Sequence, residues 1–373
     1  MQSPLKARAL WPAALLCLLG ISGCSQEQDA PSEQSEAAAA PAPMAYVSNQ
    51  NGNVTVVDLT TFEAVSEISL EDRGPRGIGV TGDGKMLVVA NRESGDLAVI
   101  DRLGGEIIRN VPIGKNPEFV RVRGSRAFVS FEPAAVGGPP PEPGSEEAKA
   151  LAKQREDDDE EPAKIAVVDL NEGKVIREIT GGMETEGIEF SADGSKILVT
   201  NEADENVTVH DIESGELVKT ISTVEHGNRP RGIKMSPDGQ MYVASIEYGN
   251  HLVVLDNEFN FVREVATGNV PYGLTFNRDG SRLYVALARG EAIQVFDTKT
   301  WEEVGQVETG KRCWHFTFTP DDRHILVACG RSDEVVVIDA NEMKVVKRIS
   351  DKKLPWGIVA YPRSVGSLDA PWQ

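Results

Sequence analysis

Residues 191–211 read SADGSKILVTNEADENVTVHD, and the order of their parts decides the fold. Asp193-Gly194 is a hairpin-turn pair, the run up to Thr200 is apolar and β-branched, and a second such run ends on Asp211. That pattern gives two short strands with tight turns around them. The phrase then returns along the chain: Tyr46-Val-Ser-Asn49, Val88-Val-Ala-Asn91, Phe128-Val-Ser-Phe131, Leu198-Val-Thr-Asn201, Tyr242-Val-Ala-Ser245, Tyr284-Val-Ala-Leu287 and Leu326-Val-Ala-Cys329. Successive copies lie 42, 40, 70, 44, 42 and 42 residues apart. A second marker keeps the same phase: Asp58, Asp101, Asp169, Asp211, Asp256, Asp297 and Asp339 each end an apolar run. A third is a Pro-x-Gly step, clearest at Gly74-Pro-Arg-Gly77, Arg229-Pro-Arg-Gly232, Val270-Pro-Tyr-Gly273 and Leu354-Pro-Trp-Gly357.

A unit of about 42 residues holds four short strands, the size of a propeller blade. Seven units predict an all-β, seven-bladed β-propeller over residues 44–362, followed by a tail at 363–373. The first unit begins at its second strand and residues 355–361 have the pattern of a first strand. One blade is therefore expected to take three strands from the N-terminal side and one from the C-terminal side, which leaves no open sheet edge in the ring.

The chain has 373 residues, with 38 Lys+Arg against 58 Asp+Glu and a net charge of −20. That balance excludes the basic footprint of a non-specific nucleic-acid binder. Four cysteines are too few for a disulfide-built scaffold. At the N-terminus, Lys6 and Arg8 precede an apolar stretch closed by Ile21-Ser22-Gly23-Cys24. Residues 1–23 read as a signal peptide, and residues 24–43 as a flexible tether poor in β-branched and aromatic side chains.

Two resemblances follow from these motifs. Ile21-Ser-Gly-Cys24 resembles the lipobox of bacterial lipoproteins, which implies lipidation of Cys24, a periplasmic domain and, with Ser25 next, anchorage in the outer membrane. Leu198-Val-Thr-Asn201 with its SADG and Asp211 resembles the YVTN-repeat family of β-propellers across about residues 44–362. Within it, GKRCWHFTFTPD (310–321) and LPWGIVAYP (354–362) are similar to propeller proteins associated with pyrroloquinoline quinone-dependent alcohol catabolism. That likeness implies an exported accessory of quinoprotein dehydrogenases.

The first strand of each blade is innermost, so the middle residues of the Pro-x-Gly-like steps are expected to ring the channel mouth: Arg76, Glu118, Glu186, Arg231, Tyr272, Trp314 and Trp356, with His315 beside them. Their variation between repeats reads in two ways. They bind a planar or anionic ligand by stacking and charge-assisted hydrogen bonds, or the Arg–Glu pairs satisfy one another and the Trp residues pack between blades. The 70-residue gap places an insertion, residues 133–163, in blade 3. It carries nine acidic and three basic residues and is expected on the mouth face, as a solvated loop, a lid or a docking segment. Cys313 and Cys329 flank a hairpin and fall nearly opposite, which reads as a cross-strand disulfide, as two buried thiols, or as a metal site with His315. No fourth metal ligand and no covalent-haem motif is visible, so no cofactor or metal is expected.

Three functions compete on this sequence. The leading expectation is a non-catalytic periplasmic lipoprotein whose channel mouth binds a small molecule or partner protein. The second is a lactonase-like hydrolase with Glu118 or Glu186 as base and Arg76 or Arg231 holding a carboxylate. The third is a redox accessory holding a quinone or metal. No nucleophile elbow and no closely spaced His–carboxylate pair speaks for the enzyme.

Overall fold

Short strands with a fully apolar inner face and an alternating outermost member cannot bury themselves alone, and here they stack radially. A computed structural model describes residues 42–133, 146, 149–150 and 161–369. They form seven four-stranded antiparallel sheets, one per blade. Blade 1 pairs Met44–Asn49, Val54–Asp58 and Glu63–Ile68 with Pro355–Tyr361, so the two ends of the propeller close one sheet. In every other blade the strands run in sequence from channel to rim. The expected signal peptide, Cys24, the tether and most of the 133–163 insertion lie outside the described residues.

The three phase markers have separate physical jobs. Each terminal Asp caps a turn: Asp211 Oδ1 accepts the N–H groups of Glu213 and Ser214 at 3.0 and 2.8 Å, and Asp58, Asp169, Asp297 and Asp339 repeat this. On the same face, where Ile212 N–H donates to Ser195 O at 2.9 Å, turn the Asp-Gly pairs. Their glycines, at 84, 194, 239 and 280, take φ between 68° and 73°, which a side chain disfavours.

The third marker joins blades. Gly232 N–H donates to Ser245 Oγ at 2.9 Å, and that hydroxyl donates to the Tyr272 carbonyl of the next blade at 2.6 Å. Thr200 links Gly187 to Arg231 in the same way, and Ser48 links Gly357 to Arg76. A Cβ on Gly232 would lie 2.6 Å from the Tyr272 carbonyl oxygen, and one on Gly77 would lie 2.6 Å from that of Glu118. Only glycine admits the neighbouring backbone there. The hydroxyl also corrects the phase of blade 5. Ser245, not Ala244, is the counterpart of Thr200 on the strand Met241–Ile246, so the copy is Val243-Ala-Ser-Ile246, one residue later than the Tyr-Val-Ala match implies.

The channel below the mouth is filled by the chain itself. After Pro355–Tyr361 the backbone turns and climbs beside the inner strand Cys313–Phe318 of blade 7. Phe318 N–H donates to Val365 O and Ser367 N–H to Phe316 O, both at 2.9 Å, with an antiparallel bridge between Thr317 and Gly366. Leu368 packs in the cluster that holds Phe119 and Trp356. The carbonyl of Asp369 accepts hydrogen bonds from the buried Arg121 and Lys234, which share Glu189 as counter-ion at 3.6 and 3.9 Å.

Candidate functional site

Six of the seven expected mouth residues stand second on an inner strand: Arg76 (Pro75–Val80), Glu186 (Thr185–Phe190), Arg231 (Pro230–Met235), Tyr272 (Pro271–Phe276), Trp314 (Cys313–Phe318) and Trp356 (Pro355–Tyr361). Glu118 precedes the shorter inner strand Val120–Arg123. The charged members meet. Arg76 pairs with Glu118, and Arg231 with Glu186 and Glu202. Arg231 also reaches Glu247 at 2.8 Å and the Tyr272 hydroxyl at 3.0 Å. Trp356, 2% exposed, packs in the core, while Trp314 is only half-buried.

A second circle lies just outside the first, at the residue that follows each second strand. It holds Arg92, Glu132, Glu202 and Glu247. Arg229 joins it, binding Glu184 at 3.0 Å, Glu247 at 3.3 Å and also Glu202. Arg312 reaches Glu247 at 3.3 Å. Sequence reading missed this circle, although the same repeat logic contains it: the position changes identity from blade to blade as the inner one does.

Crowded carboxyls of one sign divide into two proton states. Burial, then the charges of Glu118 and Glu186, push Glu132 up to about 8. Burial also lifts Glu186 to about 7, despite the pull of Arg231 in the other direction. Burial acts likewise on Glu247, but Arg231, Arg229 and Arg312 together outweigh it and hold that carboxyl below its ordinary value. Such a site keeps a proton donor and a proton acceptor side by side at neutral pH. Glu132 is aimed by a relay: Asn116 donates to its Oε2 at 2.8 Å, and Arg92 donates to Asn116 at 3.0 Å. Arg92, Lys115 and Asn116 also line a cleft of about 560 Å³ beside the mouth.

His315 is buried below the mouth, its Nδ1 3.1 Å from Ser367 Oγ. Burial, then Arg121, Arg231 and Lys234, hold its pKa well below the usual imidazole value. Cys313 and Cys329 are register partners joined by a disulfide. They therefore offer no thiolate, and among the described residues no group of three His, Cys, Asp or Glu side chains converges on a metal position.

A family model described as "Lactonase, 7-bladed beta-propeller" matches residues 187–302. No curated protein matches the chain. Among solved structures, a functionally unknown protein from Desulfotomaculum acetoxidans is 18% identical with a TM-score of 0.66, covering 85% of this chain and 98% of its own. A putative 6-phosphogluconolactonase from Bacteroides uniformis is 16% identical with a TM-score of 0.66 over the same shares. Hydrazine synthase from Kuenenia stuttgartiensis is 20% identical with a TM-score of 0.63, covering 79% and 92%. At these identities the structural likeness speaks for the propeller alone.

The lactonase match overturns the leading expectation of a non-catalytic binding scaffold and supports the hydrolase instead. Nothing found points to pyrroloquinoline quinone. The physical reason for the misreading is plain: the carboxyls come from three blades, and a constellation assembled around a ring has no linear spacing to recognise.

Proposed function

We propose that the channel mouth hydrolyses a lactone. The observation that carries this reading is the pair Glu132 and Glu186, held to about 8 and about 7 beside Glu118, with Arg76 and Arg231 in direct contact with the cluster. The family match supports it. Ionised Glu186 takes a proton from water, and the water oxygen bonds to the lactone carbonyl carbon. Arg76 and Arg231 offset the charge that develops on the carbonyl oxygen. The ring C–O bond then breaks, and the leaving oxygen takes the proton of Glu132, giving a hydroxy acid. The proton on Glu186 returns to Glu132 through solvent. A putative 6-phosphogluconolactonase is among the similar structures, and a sugar lactone with an anionic substituent suits this mouth, its charge reaching Arg92 and Lys115 in the adjoining cleft.

The test is hydrolysis of D-glucono-δ-lactone and its 6-phosphate by the purified protein, followed by acid release at constant pH. Glu186→Gln and Glu132→Gln are each expected to lower kcat by about 10²–10⁴. A wild-type rate no greater than that of buffer overturns the reading. We further propose that the domain is exported and lipid-anchored through Cys24. Detergent-phase partitioning that Cys24→Ala leaves unchanged would refute that.

A further inference from the structure

Five blades carry glycine directly after the mouth residue: Gly77, Gly187, Gly232, Gly273 and Gly357. Blades 3 and 7 carry Phe119 and His315 at that level. A ring larger than glycine has no room between blades where the neighbouring carbonyl approaches. These two side chains occupy the channel instead and meet across it, their rings 6.0 Å apart and edge-on. Trp356 and Tyr272 complete the layer, 4.4 and 5.6 Å from the imidazole. The result is an aromatic floor directly beneath the charged mouth. Tyr272 spans both levels, with its ring in the floor and its hydroxyl on Arg231.

One polar atom in that floor is left unpaired among the described residues. His315 Nδ1 is engaged by Ser367 Oγ, and the same oxygen accepts the Phe316 N–H at 3.0 Å. Ser367 is itself fixed, because the climbing segment that carries it is paired to blade 7 and gripped below by Arg121 and Lys234. His315 Nε2 is buried, in a residue 2% exposed, and has no hydrogen-bond partner among the described residues. Ordinary packing would place carbon there.

We infer that His315 Nε2 is the polar contact the site offers to the buried end of its substrate, and that Ser367 is the positioning residue that aims it. This rests on the hydrolase reading above and adds a specificity rule to it. The floor takes an uncharged hydroxyl, which can donate to or accept from a neutral imidazole in either tautomer. It rejects a charge, which would lose its water among Phe119, Tyr272 and Trp356. The anionic end of the substrate must then point outward, and the hydroxylated ring inward.

Two lactones of equal ring size separate the hydroxyl contact from the chemistry: D-glucono-δ-lactone and δ-valerolactone. The full chain is expected to prefer the hydroxylated ring in kcat/KM by about tenfold or more, the scale set by a buried polar group that is paired or left unpaired. His315→Phe, which copies Phe119 in shape, and Ser367→Ala are both expected to lose most of that ratio. Ser367→Ala should also change the nitrogen-15 shifts of His315, which report its tautomer, an effect that loss of packing alone does not produce. If His315→Phe does not fold, Ser367→Ala carries the same comparison. A ratio unchanged in the folded variants overturns the inference and leaves the hydrolase reading standing. If the wild type hydrolyses neither lactone, the hydrolase reading fails by itself. D-glucono-δ-lactone titrated into the labelled protein must then still move the Nε2 resonance and spare Nδ1; an unmoved Nε2 overturns the inference as well.

Discussion

Arg231 shows why the mouth resists being read as either a ligand site or mere packing. It is 4% exposed and contacts Glu186, Glu202, Glu247 and Tyr272, so its charge is fully answered. Glu186, its partner, nevertheless keeps a raised pKa because burial outweighs the pairing. The proposed hydrolysis needs Glu186 ionised and Glu132 protonated. kcat should therefore rise as pH passes about 7 and fall as it passes about 8, a narrow bell whose limbs belong to the coupled cluster rather than to either residue alone. A stability effect follows with its own sign. Between the ordinary carboxyl range and about 8, folded Glu132 keeps a proton that the unfolded chain has lost, so it destabilises the fold increasingly as pH rises through that window. Melting temperature measured from pH 5 to 8.5 should fall less steeply in Glu132→Gln than in the wild type; parallel curves would show that Glu132 titrates normally. The inner ring was legible because its positions recur. Glu132 was not, because it sits where blade 3 leaves its second strand for the insertion, and the insertion's acidity masks a single buried carboxyl beside it. Trp356 was legible by place but not by depth: its burial makes Trp356→Ala a core deletion costing about 3–5 kcal/mol in chemical denaturation, with a smaller cost at half-buried Trp314.

Within one blade, the small hydroxyl of the repeat does what its hydrophobic neighbours cannot. It spans from its own inner strand to the carbonyl of the next blade's mouth residue, and so fixes the backbone from which the mouth side chains project. Ser245→Ala removes one such bridge between Gly232 and Tyr272 and should cost about 1–2 kcal/mol. Gly232→Ala pushes a methyl group toward the Tyr272 carbonyl and should cost about 1–3 kcal/mol or more. If the clamp positions the site, both should also lower kcat, because Tyr272 and Arg231 move with that strand. Urea denaturation combined with lactone turnover checks the pair; a stability loss with full activity would confine the clamp to folding. Strand phase was readable from the repeats almost throughout. The exception is blade 5, where Tyr242 imitates the aromatic that opens other copies and shifts the match by one residue. Apolar positions are interchangeable along a buried strand, whereas the clamp hydroxyl is not, so Ser245 was the better marker.

Two C-terminal devices hold the whole ring, and they should fail differently. Pro355–Tyr361 supplies the innermost strand of blade 1, pairing with Met44–Asn49 along its length; without it, blade 1 loses its inner strand and the inner-strand layer is broken. The segment that follows adds no strand to any blade but plugs the channel, joining Leu368 to the core and Asp369 to Arg121 and Lys234. Repetition made the first device visible in the sequence. The second was invisible, since residues 363–369 repeat nothing and their partners are set by a channel that exists only once all blades are in place. A chain ending at Ser350 should therefore not give a cooperative unfolding transition. A chain ending at Pro362 should fold, but with Arg121 and Lys234 stripped of a buried partner and Leu368 lost, at a cost of about 3–5 kcal/mol. Its lactone selectivity should also fade, because Ser367 no longer holds His315. Calorimetry on the two truncations decides between closure and plug: equal collapse of both would mean that the climbing segment is part of the folding unit itself, and that the floor and the ring form together.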